Sequence, residues 1–373
     1  MSFAPLDELA LLLRPAGGGV HVVSTGKAEQ LALQERLYGV SGEGAIGQTH
    51  REQLSRIASA KAFLLGVPSD VGAGYRRGAN LGPQAIRRAL LERHGAWWSS
   101  VSGDVVDLGD VFVVPQLLED RLLNESQLDA SRRALYPGRR ELLPVSPLTI
   151  ERRVLDLVAA LNPGAKPFVI GGDHSVAWPV AASLASRHEK LGIVQLDAHT
   201  DLLPDRLGIP VCFATWSFHA NELLGRGGRL VQLGVRASGR TKEHWESTLG
   251  VRQFWADDCL SRGTAVIDDV VTHLRSIGVE RLYLSNDIDG TDASEAMATG
   301  TPEPAGLPSS FVFALIERLR TTFDIVAADI VEVAPPLGPT PADAARTVAL
   351  AADYMKASVA ALLNAPSAPA ARP

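Results

Sequence analysis

The sequence predicts an α/β fold: a mostly parallel sheet covered by helices on both faces. Three observations predict it. Short apolar runs recur along the chain, amphipathic stretches alternate with them, and several runs end directly in aspartates and histidines. With 373 residues and 46% hydrophobic content, the chain can bury one large core of this kind.

Residues 1–60 read as an accessory segment, interrupted by Gly17-Gly18-Gly19 and a glycine-rich stretch over 39–47. A polar helix is expected from about Thr49 to Ala60, and this segment is placed to cover the mouth of a site. The main domain is expected over 61–363. Its strand candidates are 61–67, 105–113, 167–171, 192–197, 229–235, 251–255, 281–286 and 324–331. Amphipathic periodicity predicts helices over 83–92, 149–161, 175–187, 214–224, 263–276, 309–320 and 341–363. Their irregular spacing favours an open doubly wound sheet over a closed barrel. The charged insertion 114–147 is long for a bare loop and is expected to hold a helix of its own. The Pro/Ala-rich tail 364–373 is expected to be disordered.

Composition excludes some classes of function. A formal net charge of −6 invites no nucleic-acid partner. Cys212 and Cys259 lie far apart without metal-ligand spacing, which suits a reducing cytoplasm. Leu9 to Leu13 is apolar but lacks a basic flank, so no signal peptide is expected, and no apolar run is long enough for a membrane span.

The chemistry concentrates in Gly-Gly-Asp-His-Ser (171–175), Asp-Ala-His-Thr-Asp (197–201), Asn-Asp-Ile-Asp (286–289) and Val-Glu-Val-Ala-Pro (331–335). Each follows an apolar run, and therefore falls at the carboxyl end of a strand, where open α/β sheets bind ligands. On an extended segment, residues two apart share a side, so Asp197, His199 and Asp201 can converge, as can Asp287 and Asp289. Alone, an Asp-X-Asp is ordinarily a solvated turn. Ionisable groups at the end of an apolar strand are different, because each is costly there unless paired or metal-bound. With His174, the set offers His and Asp donors beyond what one catalytic zinc uses. It suits two divalent ions about 3.5–4 Å apart. Oxygen-rich ligation leans towards Mn2+, with Ni2+, Co2+ and Fe2+ left open.

At these motifs the chain resembles the ureohydrolase family of arginases and agmatinases. The resemblance extends to Ser285 through Asp292, Ala298 through Gly306, and Arg77 through Arg87, and spans most of 61–363. It implies a three-layer α/β/α sandwich with an eight-stranded, mostly parallel sheet, and a homotrimer or homohexamer. It also implies one metal on His174, Asp197, Asp201 and Asp287, and another on Asp197, His199, Asp287 and Asp289. Four aspartates and a bridging hydroxide outweigh two divalent cations, so the site should attract a guanidinium. Glu332 matches the family's guanidinium-binding glutamate and would orient the substrate by paired hydrogen bonds, while Asp201 would accept a hydrogen bond from the attacking hydroxide. The expected reaction releases urea from an agmatine-, guanidino acid- or guanidine-like compound.

The chain also departs from the family. Leu202-Leu203-Pro204 offers no side chain to grip an amino-acid head group. Phe213-Ala214-Thr215 stands where the proton-shuttling loop histidine is usual, and His219 is expected in the core or at the surface. Asn286 and Ala293 replace a hydrophobic residue and a proline. Phe213, Trp216 and Phe218 suggest a smaller or more apolar pocket, with Phe213 and Trp216 touching substrate. Two other readings remain open: a catalytically silent metal-binding subunit, and a metal-dependent deacetylase on a related fold.

Overall fold

The structure, a computed structural model, describes residues 3–364. The tail expected to be disordered lies, from residue 365 onward, outside the described residues. Each predicted apolar run contains a strand. In chain order the strands are β1 (Leu13–Arg14), β2 (Ala62–Val67), β3 (Val105–Val111), β4 (Lys166–Gly171), β5 (Leu191–Leu196), β6 (Leu230–Leu233), β7 (Arg252–Phe254), β8 (Arg281–Asn286) and β9 (Asp324–Ile330). Among the described residues they form one open nine-stranded sheet, ordered β1-β3-β2-β4-β9-β8-β5-β6-β7. All pairings are parallel except that of β1, which lies antiparallel on β3 with Leu13 opposite Val111. Only this two-residue strand departs from the eight expected. Its pairing depends on the exposed edge of β3 rather than on a local apolar pattern.

Side chains alternate between two buried layers, which is why the strands read as continuous apolar runs. Phe63, Leu65 and Ile193 face a core shared with the helices Pro5–Leu12, Pro147–Leu161 and Ala177–Ala185. Leu64, Val194 and Leu196 face the other core, shared with Gly82–Val101, Ala265–Ser276, Ser309–Arg320 and Pro341–Leu363. This is the three-layer sandwich. The helix expected over 83–92 runs on to Val101 after a break at His94, where φ is −131°. The insertion carries its own helix, Glu125–Leu135, capped by Asn124 and Gln127.

The described part of the first 60 residues is tied into the main core at its two ends, while Ala16, Tyr38 and Ile46 form a small cluster of their own. Leu9, Leu12 and Leu13 pack with Leu54, Ile57 and Phe63. The expected polar helix begins earlier, at Glu43. At Gly19 a side chain would meet the Val111 carbonyl, since a Cβ there lies 2.4 Å from its oxygen. The Gly19 N–H instead donates to Asp110, which with Asp107 pairs the fully buried Arg87 guanidinium. The segment therefore joins the sheet at the β3 edge.

Candidate metal centre

The site-bearing motifs follow β4, β5, β8 and β9. In the sheet these strands are neighbours, in the order β4-β9-β8-β5, and parallel. Segments far apart in sequence are thus delivered side by side at one edge.

Convergence does not come from strand alternation. β5 ends at Leu196 and β8 at Asn286, so the ligand-like residues lie beyond both strands. Asp287 caps a 3-10 turn over Ile288–Gly290, its carboxylate accepting from the Asp289 N–H at 2.9 Å. Asp201 adopts φ 52°, in the left-handed region, and this turns its carboxylate back towards His174. Gly172 permits the approach of the β4 loop, because a Cβ there would sit 1.9 Å from the Ser69 carbonyl oxygen.

Two clusters result. Around His174 Nδ1 stand Asp197 Oδ2 at 3.1 Å, Asp201 Oδ2 at 3.2 Å and Asp287 Oδ2 at 3.2 Å. Asp289 Oδ2 lies 3.1 Å from His199 Nδ1, and Asp197 Oδ1 lies 3.5 Å from it. The two oxygens of Asp197 therefore face different clusters. His174 and the aspartates are buried, while the His199 side chain is 27% exposed, so the centre opens on its side.

The imidazole of His174 is oriented from behind. Ser285 Oγ donates to Asp329, so it accepts from His174 Nε2–H at 2.9 Å. Asp329 also accepts from the Asn286 N–H and the Tyr283 hydroxyl. In the neutral ring Nδ1 then carries the lone pair, and it faces three carboxylates without a hydrogen-bond partner. Burial opposes charge on this ring, but Asp197, Asp201 and Asp287 override it and raise His174 well above its usual value, so the clustered anions call for a positive charge at Nδ1, either a proton or a divalent ion in its place. Metal–ligand bonds of about 2.1 Å at right angles set neighbouring ligand atoms about 3.0 Å apart, so the residues fit a divalent ion. The protonation tendencies agree with this charge excess. Burial, then Asp289 and Asp197, hold the Asp287 carboxyl well above its usual range, and burial with Asp197 pushes Asp201 to about 7. Burial opposes charge on His199, but Asp289 and Asp197 override it and raise the ring to about 12.

Glu332 lies 8% exposed at the end of β9, with φ 61°. Its N–H donates to the Gly172 carbonyl, and its Oε1 accepts from the His174 N–H at 3.0 Å. Its other oxygen lies toward Gly300, where an added Cβ would stand 3.6 Å away. Phe213 lines a cavity of about 380 Å3 together with Gly72, Leu118, Ile209 and Arg206, whose guanidinium lies 4.8 Å from the ring centroid.

Trp216 is a correction. Sequence placed it against substrate, but it is completely buried, its ring 4.6 Å from that of His174 and its indole N–H donating to Asp201 Oδ2 at 3.1 Å. An aromatic residue shortly after a motif reads equally well as wall or as support. His219 is held by the Pro210 carbonyl and packs beside Trp178, away from the clusters. Sequence reasoning missed Arg236. Its guanidinium donates to the carbonyls of Asp289, Glu303 and Pro304 and staples the loop that bears Asp289 and its partner Thr301. An arginine just beyond a strand carries no local sign of that role.

Comparison with known proteins agrees with the fold and the motifs. The sequence model of the arginase family matches residues 60–360. The chain is 29% identical over 301 residues to a guanidinobutyrase of Pseudomonas aeruginosa, covering 78% of this chain and 84% of that one. It is 32% identical to the mitochondrial agmatinase of Gallus gallus, covering 74% of each. Among solved structures, proclavaminate amidino hydrolase of Streptomyces clavuligerus superposes with a TM-score of 0.64 at 27% identity, covering 82% of this chain and 93% of that one. A family match over most of the chain, on a shared fold, leads to one conclusion: this chain belongs to the arginase family.

Proposed function

We propose that the chain is a binuclear-metal hydrolase that cleaves a C–N bond of a small guanidino compound and releases urea. The observation that carries this reading is the unpartnered Nδ1 of His174 enclosed by the oxygens of Asp197, Asp201 and Asp287. One ion would be held by His174, Asp197, Asp201 and Asp287, the other by Asp197, His199, Asp287 and Asp289. The oxygen-rich, thiolate-free set favours Mn2+ over Ni2+ or Co2+. Bound there, a pair of divalent ions supplies a water of lowered pKa and a Lewis acid.

The chain's own residues do the rest. Burial and the nearby Asp173 hold the Glu332 carboxyl well above the usual range, so an arriving guanidinium supplies the opposite charge that favours its ionised form. Paired with Glu332, the planar guanidinium is fixed with its carbon towards the aspartates. Trp216 and Asp201 hold a hydrogen-bond acceptor on the attacking side. The cavity beside Phe213 suits an aliphatic tail. A homotrimer or homohexamer is the assembly this family membership favours.

The test is metal counting combined with a urea-release assay. Wild type should hold two ions per chain, and Asp197→Asn should lose most bound metal and all measurable urea release, because both clusters use Asp197. A single tightly bound ion in fully active wild type would overturn the binuclear reading.

A further inference from the structure

Three glutamines cross the sheet in register behind the centre. Gln195 of β5 pairs with Gln232 of β6, and Gln232 with Gln253 of β7. All are completely buried, where an unsatisfied amide is costly. Each is satisfied by the next. Trp255 Nε1–H donates to Gln253 Oε1 at 2.9 Å, and Gln253 Nε2 donates to Gln232 Oε1 at 2.7 Å. Gln232 Nε2 donates to Gln195 Oε1 at 2.8 Å and to the Thr200 carbonyl at 2.6 Å. Gln195 Nε2 ends the row by donating to Asp197 Oδ2 at 2.7 Å.

The row has one direction. An indole N–H only donates, so it fixes which end of the Gln253 amide faces it, and that choice passes down the row. Ser217 Oγ donates to Gln195 Oε1 at 2.7 Å and reinforces the same orientation. The last N–H therefore points at the carboxylate whose two oxygens face both clusters, while the Gln232 branch holds the backbone between His199 and Asp201. Hydrogen bonds in such a chain polarise one another.

We propose that Gln195, Gln232 and Gln253, oriented by Trp255, are positioning residues that set the carboxylate of Asp197 for the metal pair. This rests on the binuclear reading above. The row orients Asp197 before any ion arrives, and it does so from the β7 edge of the sheet, where Trp255 is half-buried.

The test uses the full chain stripped of metal, titrated with Mn2+ in a calorimeter, beside its metal-free melting temperature. Gln195→Leu should weaken Mn2+ binding by about 10- to 100-fold, the usual effect of removing a partner of a metal ligand. Trp255→Phe keeps the packing and removes only the donor; it should weaken binding several-fold. The double variant should bind no worse than Gln195→Leu alone, since the row is already cut. Unchanged Mn2+ affinity with a lowered melting temperature in both single variants would show a merely structural role and overturn the proposal. Additive losses in the double variant would overturn the assignment of direction to Trp255. If wild type itself fails to bind two ions, it is the binuclear reading that fails, a result separate from either of these.

Discussion

Glu332 and Glu151 are both buried carboxyls near the centre, yet their surroundings give them different work. Glu332 has one oxygen held by the His174 N–H and one directed towards Gly300. Glu332→Gln keeps the volume and removes the charge. It should retain both metals and lose about 2–4 kcal/mol of transition-state stabilisation, roughly 30- to 900-fold in kcat. Near-wild-type kcat would show that this carboxylate does not hold the guanidinium. Glu151 sits completely buried on the helix Pro147–Leu161 with neither oxygen hydrogen-bonded. Burial, then Asp329 and Asp173, hold its carboxyl well above the usual range. Below the ordinary carboxylate value both folded and unfolded chains keep the proton. Above it the unfolded chain releases the proton and the folded chain does not, so stability falls as pH rises through the window up to the raised value. Glu151→Gln cannot ionise in either state. Its melting temperature relative to wild type should therefore climb as pH rises above the ordinary carboxylate range. Parallel curves would mean that Glu151 is already ionised in the folded chain.

At the level of elements, the helix Pro5–Leu12 tests whether the first 60 residues fold with the rest. Leu9 is completely buried against the main core. Leu9→Ala should cost about 2–5 kcal/mol and shift a single cooperative unfolding transition. A separate early transition, with the main one unmoved, would show an independent segment. What was legible in sequence follows the same physics. β2 to β6, β8 and β9 were legible because both faces of a buried parallel strand are apolar, and the outer β7 because Val251 and Phe254 frame it. β1 was not, because two residues carry no period. The ligand-like residues were legible because buried charge after an apolar run has few inexpensive explanations. The way they converge was not, because the positive φ of Asp201 and the 3-10 turn after Asp287 leave no mark in residue type. The glutamine row was hidden as well, since strand register and not sequence spacing brings its members together.

For the molecule as a whole, the described residues include no helix long and apolar enough to cross a membrane. Substrate selection should follow from what surrounds the centre. Leu202 is buried and Leu203 half-exposed, and neither offers a hydrogen bond to a zwitterionic head. L-arginine should therefore show a lower kcat/KM than agmatine or guanidinobutyrate, since desolvating an unmatched head group costs on the order of a few kcal/mol. If L-arginine proves best, the loop from Leu202 to Phe213 has been misread. The sheet itself carries a further consequence, at its margins. One outer strand is the two-residue β1 and the other the three-residue β7. Short margins leave few free backbone groups for a second chain to recruit. β1 covers the end of the seven-residue β3 at Asp110 and Val111, and Asp107 and Asp110 on that strand are held by the buried Arg87. The opening residues thus finish the sheet like a selvedge, with a short backbone pairing and a buried charge cluster at its margin.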